Sequence, residues 1–175
     1  MAGVKDLTIE RDQDAELVSH VSAKDFNGKA LQVKMSGTVN TKKCGVYDVV
    51  YSATDAIGNT QKATAKITIV DTRAPKISQV KDIVVDDQTS DIQAAVLKGI
   101  QAVDSGETLG TSAITLDTSA LQSAMASQSY GQVVCSAYAT DAAGNRSQTI
   151  RIDVTYQNTE TEPPVEQNIE ENIEE

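Results

Sequence analysis

Apolar and polar residues alternate along most of this chain. Tyr47, Val49, Tyr51 and Ala53 face one way, and so do Ala63, Ala65, Ile67 and Ile69. This period of two marks half-buried strands. Between the two runs lies Ala53-Thr-Asp-Ala-Ile-Gly-Asn59, and the same seven residues return as Ala139-Thr-Asp-Ala-Ala-Gly-Asn145 with one change, Ile57 to Ala143. Each copy reads as strand, tight corner, strand. Asp55 and Asp141 suit the first position of a type I turn, where a carboxylate accepts backbone N–H bonds. Gly58 and Gly144 take the fourth position, where a left-handed backbone is often required, and Asn59 and Asn145 close the corner.

The duplication extends beyond the corner. Leu7 and Ile9 are matched by Ile83 and Val85 in a first short strand, and Leu17-x-x-x-Val21-x-Ala23 by Val96-x-x-x-Ile100-x-Ala102. The first of these patterns runs into the Asn27-Gly28 turn and the second into Asp104-Ser-Gly106. Leu31, Val33 and Met35 alternate in a third strand matched by Ile114 and Leu116. The equivalent aspartates Asp6 and Asp82 lie closer in sequence than the two corners do, so the second copy carries extra residues, placed between Leu109 and Gly131. Within them 117–126 predicts one or two helical turns, capped by Asp117 or Thr118 and covering the sandwich edge through Leu121 and Met125. In the last hairpin Val133, Cys135, Ala137 and Ala139 are odd, but Ile150, Ile152 and Val154 are even. A one-residue change flips every side chain, so a bulge or altered turn is expected in one copy alone.

These features predict an all-β chain: sandwich 1 at residues 1–71, a linker at 72–75, sandwich 2 at 76–157, and an acidic, disordered tail at 158–175. Pro75 fixes its own φ and holds Ala74 extended, so the joint should be semi-rigid. The tail carries seven glutamates and no Lys or Arg, which accounts for seven of the ten net negative charges. It has little to bury, although Val165, Ile169 and Ile173 would form a stripe on a transient helix. The remaining body is mildly acidic and lacks a basic face, which argues against nucleic acid and anionic membranes as partners. No apolar run approaches a membrane span, and Met1-Ala-Gly3 reads as the start of an excised fragment. Aromatic residues make up 3% of the chain, with no Trp, so the cores must be built from Val, Ile, Leu and Ala.

Residues 45–59, followed by Val70-Asp-Thr-Arg-Ala-Pro75, resemble the tandem bacterial immunoglobulin-like repeats of cell-surface proteins, with hyalin-type repeats close in pattern. The resemblance spans nearly all of residues 4–157. It implies Ig-like sandwiches strung as stalks, outside the cell, on the surface of a bacterium of Gram-positive type. It also implies neighbouring domains of a larger protein as partners.

The residues themselves give no catalytic set. Cys44 and Cys135 stand at non-equivalent positions, the first expected exposed and the second a small buried hydrophobe. The lone His20 is out of phase with Leu17, Val21 and Ala23 and is expected to face solvent, without partners for a metal or for catalysis. Asn145-Arg-Ser147 matches a glycosylation acceptor, but the turn already accounts for Asn145. No cofactor is expected. Calcium is the alternative left open, because Asp55, Asp71, Asp86, Asp87 and Asp141 offer hard oxygens, though none at loop-type ligand spacing. The expectation is a monomeric, non-catalytic spacer or presenting module. The alternative is an adhesin-type module binding a host protein or glycan through an exposed patch near Ala113–Tyr130, with Met125 and Tyr130.

Overall fold

A computed structural model describes residues 1–159; the glutamate-rich segment from 160 onward, with the expectations of disorder and of a helical stripe, lies outside the described residues. The described chain is mostly strand and forms Ig-like β-sandwich structure. It divides into two compact units. The first comprises Met1–Ala74 together with two short turns from later in the sequence, Asp104–Glu107 and Asp141–Asn145; the second takes the rest.

In the first unit the strands are β1 (Leu7–Glu10), β2 (Ala23–Lys24), β3 (Ala30–Leu31), β4 (Val33–Ser36), β5 (Gly45–Thr54) and β6 (Thr60–Val70). They make a four-stranded sheet in the order β1-β6-β5-β4 and a separate β2-β3 pair. The alternation places Val49, Tyr51, Ala65, Ile67 and Ile69 in the core with Val21. Tyr51 is fully buried, yet its hydroxyl donates to the Leu17 carbonyl at 2.6 Å, so the one large ring of this core keeps its polar end satisfied. His20 packs edge-on against that ring at 6.1 Å with its Nε2 buried. The expectation that it faces solvent is therefore corrected: the segment before β2 is a series of turns, where a phase read from alternation does not hold.

The second unit holds β7 (Lys76–Gln79), β8 (Ile83–Asp86), α1 (Ile92–Leu97), β9 (Ile100–Asp104), β10 (Glu107–Thr108), β11 (Ile114–Asp117), α2 (Ser119–Ala126), β12 (Gly131–Ala139) and β13 (Ile150–Gln157). The sheet orders are β11-β12-β13-β8 and β10-β9-β7. Helix α2 occupies the predicted segment and buries Leu121 completely. Helix α1 was not foreseen. Its cap is Asp91, whose carboxylate accepts the Ala94 N–H at 2.9 Å, and it buries Val96.

The parity change in the second hairpin has a local cause. From Gly131↔Tyr156 to Ala137↔Ile150 the ladder keeps one register, but Thr140 pairs with Arg146, one residue out of step. Between them Ser147 bridges the defect: its N–H donates to the Ala139 carbonyl, and its hydroxyl oxygen accepts the Ala139 N–H, both at 2.9 Å. The corner itself is unaltered, so the irregularity is a bulge beyond it. In the first copy β5 and β6 pair without interruption from Gly45↔Ile69 to Thr54↔Thr60.

In both units the first and last strands of the larger sheet are parallel neighbours: β1 with β6 (Leu7↔Ile67 to Glu10↔Val70) and β8 with β13 (Ile83↔Val154 to Asp86↔Gln157). Side chains pin each pair. Asp6 accepts the Lys66 N–H at 2.8 Å, and Glu10 accepts both the Thr72 N–H and its hydroxyl. At the corresponding places along β13, Gln79 at the end of β7 exchanges two bonds with the backbone of Asp153, and Asp87 after β8 accepts the Thr159 N–H and hydroxyl.

Tyr51→Phe keeps the ring and removes the hydroxyl that donates to the Leu17 carbonyl. Its unfolding free energy in urea should fall by about 1–2 kcal/mol, and an unchanged midpoint would contradict this account of the core.

Candidate functional site: a carboxylate cluster closed by Arg11

The corner aspartates act on their own backbone first. Asp55 Oδ1 accepts the N–H groups of Ile57 (3.0 Å) and Asn59 (2.9 Å), and its Oδ2 accepts Asn59 Nδ2 (2.8 Å). Asp141 takes Asn145 N and Nδ2 at 2.8 and 2.9 Å. Gly58 and Gly144 close the i to i+3 bond with φ of 92° and 94°, a conformation glycine adopts without strain. The Asn59 side-chain bond, with the backbone donors, holds the Asp55 carboxyl below its ordinary value. Burial works to raise Asp141, but the Asn145 bonds outweigh it and the net direction is down.

The two corners differ in what surrounds them. Asp141 belongs to a group of three carboxylates in the first unit, with Asp71 and Asp104, whose nearest oxygens all lie within 4.8 Å of one another. Asp104 is 3% exposed. Such a group of hard oxygens is what a divalent cation seeks. A protein cation already sits in it. Arg11 Nη2 donates to Asp104 Oδ2 at 2.6 Å, and its Nε lies 3.2 Å from Asp71 Oδ2, without the alignment of a hydrogen bond. Asp12 is a third contact at 3.4 Å. Burial opposes the Arg11 charge, but Asp71, Asp104, Asp12 and Glu107 together raise its pKa above the ordinary value. Asn145 Nδ2 also donates to the Asp71 carbonyl at 3.0 Å. Each carboxylate of the cluster therefore has a protein partner in place.

Of the residues singled out for calcium, the fold gathers Asp71 and Asp141 and leaves the others apart. Asp55 serves its own turn; Asp86 accepts the Gln88 N–H and the Thr89 hydroxyl; Asp87 binds Thr159. Arg11 and Asp104 were missed as site residues. Asp104 occupies the place in the second copy that Asp25 holds in the first, which marks it in the sequence as a turn residue and not as a member of a cluster. Nothing in the sequence marks Arg11 beyond its position after β1.

Cys44 is exposed and Cys135 buried, both free. The patch expected near Ala113–Tyr130 is modest, because Met125 packs on the second core and Tyr130 lies against Tyr156 at 4.8 Å. The most exposed large apolar side chains among the described residues are instead Phe26 and Ile57. No helix among the described residues is long and apolar enough to cross a membrane.

Arg11→Ala leaves the buried Asp104 charge uncompensated and should cost about 3 kcal/mol. Millimolar calcium should then restore part of the lost melting temperature while leaving the wild type unmoved, and a rise in the wild type would show that the cluster takes a cation beside Arg11. Because the folded pKa of Asp141 lies below its unfolded value of about 3.9, its contribution is present above that pH and is lost as pH falls through the folded value. Asp141→Asn should accordingly flatten the acid limb of stability against pH.

No curated protein matches. Among solved structures, the protein described as CBM51-2 in complex with GlcNAc and INT domains from Clostridium perfringens ZmpB aligns at 21% identity and TM-score 0.35, over 45% of this chain and 21% of that one. The lipoprotein BT2262 from Bacteroides thetaiotaomicron aligns at 15% identity and TM-score 0.32, over 83% and 74%. Human mucin-like protocadherin EC1-2 aligns at 10% identity and TM-score 0.42, over 88% and 96%. This chain thus spans about a fifth of the first of these, and at such values none of them bears on function. Residues 1–69 match the family described as bacterial surface protein, Ig-like domain.

Proposed function

We propose that the chain is a non-catalytic, load-bearing spacer of a bacterial surface protein, holding neighbouring domains away from a cell wall of Gram-positive type. The family matched by residues 1–69 places such domains on bacterial surfaces. The observation that carries the mechanical part is the parallel pairing of β1 with β6 and of β8 with β13.

When a tether is pulled through its two ends, tension enters the first unit on β1 and leaves on β6; in the second it enters on β7, passes through the short turn after Gln79 to β8, and leaves on β13. In a parallel pair those two forces run in opposite directions along neighbouring strands, so the evenly spaced bonds between them are sheared together. An antiparallel hairpin pulled at its open end is instead unzipped one bond at a time. Parallel closure therefore suits a module that must stay folded under load. The carboxylates at the ends of the clamp lengthen the sheared region, Asp6 and Glu10 in one unit and Asp87 in the other.

Single-molecule pulling tests this, and Cys44 supplies a natural second handle. Pulled through its termini, the chain should show two high-force unfolding events. Pulled between Cys44 and the C-terminus, the first unit should open at clearly lower force, since Gly45 pairs with Ile69 and β5 unzips from β6. The second unit, still loaded through its ends, should keep its force and serve as the internal standard. Equal forces for the first unit in both geometries would sink the proposal. Glu10 and Asp87 are both held below their ordinary values, chiefly by Thr72 and Thr159, so the force should also weaken as pH falls through the acid range.

A further inference from the structure

The first unit contains the same turn pair twice, once covered and once bare. The covered pair is Asp104 with the Asp141–Asn145 corner, which meets Arg11 through Asp104 Oδ2 and Asp71 through Asn145 Nδ2. Its counterpart is built alike. Asp25 follows Ala23 by two residues as Asp104 follows Ala102, and Asp25 Oδ1 accepts the N–H groups of Asn27 and Lys29, both at 2.9 Å. The Asp55–Asn59 corner stands beside it, and the two turns line one open cleft. Where the covered pair carries Ser105 and Ala143, the bare pair carries Phe26, 99% exposed, and Ile57, 85% exposed. Phe26 is the only phenylalanine of the chain. Two large apolar side chains held in the open beside two carboxylates mark an interaction surface.

We infer that this cleft docks a further Ig-like module that presents an arginine where Arg11 stands and a backbone carbonyl where Asp71 stands. The guanidinium enters between Asp25 and Asp55, the carbonyl accepts from Asn59, and the apolar margin of the module covers Phe26 and Ile57. The chain itself shows what such turns receive, and the charges are complementary. A second copy of this chain does not offer the same edge through its second unit, because the strand register that aligns β8 with β1 puts Asp87, a carboxylate, in the place of Arg11. The inference rests on the spacer reading and adds that the module is one of a longer series.

The absence of tryptophan allows a clean test. Phe26→Trp in the complete chain gives a single, exposed tryptophan that can be excited apart from the five tyrosines. A three-module protein, residues 1–76 followed directly by the complete chain, sets Met1 where Ile77 stands; the bridge Ala2↔Ser22 and the pair Ser78↔Gln101 share that register. With the reporter in the complete chain, its emission should shift to the blue and acrylamide quenching should fall several-fold. Arg11→Ala in the added copy alone should reverse both. Should the added copy not fold, N-acetyl-arginine amide titrated into the complete chain should give saturable amide shifts at Asp25, Phe26, Asp55 and Ile57 that the glutamine analogue does not. Unshifted emission beside a folded added copy overturns the inference, as does a titration without saturable shifts. A blue shift that appears in the complete chain alone as its concentration rises also overturns it, in favour of self-association. Each of these failures leaves the pulling result intact, so loss of this docking site and loss of the spacer reading are told apart.

Discussion

Each unit depends on one constraint: the first and last strands of its larger sheet, β1 with β6 and β8 with β13, must lie side by side and parallel. Small β domains are marginal, because a short chain buries a modest share of its surface. These cores make that harder, being built from Val, Ile, Ala, one Leu, one Cys and two buried tyrosines in place of larger aromatic clusters. Closing the sheet with β1 or β8 gives the outer edge of β6 or β13 a backbone partner and ties the early part of each unit to its last strand. The pins serve the same end in different chemistry. A carboxylate at Asp6 and an amide at Gln79 both reach the partner strand at equivalent positions, near Lys66 and Asp153.

The repeated corner shows how one local device takes two roles. Asp55 and Asp141 satisfy the same backbone donors over the same loop length, yet one lies at an open, apolar cleft and the other inside a cluster that Arg11 neutralises. The turn chemistry is local and comes with the seven residues. What it meets is tertiary, and it changes with a few neighbours, Ile57 for Ala143 and Phe26 for Ser105. A buried charge such as Asp104 is tolerable only because the guanidinium is placed beside it.

Alternation exposed the long hairpins well. The residues with odd numbers in β5, β6 and β12 and with even numbers in β13 are the ones that point inward, and the parity change led to the bulge at Ser147. A period of two carries information only where strands are long. It failed around His20, in a run of turns, and it missed α1, whose six residues are too few to show a helical period beside the strand-like Ile100-x-Ala102 that follows. Of the candidate site, the corner geometry could be read from Asp-x-x-Gly-Asn, whereas the cluster could not. Asp71, Asp104 and Asp141 are 33 and 37 residues apart, and their meeting with Arg11 is set by packing that no local pattern encodes.

If parallel closure holds each unit shut, its bonds should be the last to open. Native-state hydrogen exchange measures this directly. The account predicts that the Arg11 amide, which donates to the Val70 carbonyl at 2.7 Å, and the β1 and β8 amides bonded across their parallel pairs exchange with the free energy of global unfolding of their unit, together with the centres of β5 and β12. Exchange of β1 and β8 through small local openings, well ahead of those central strands, would contradict it.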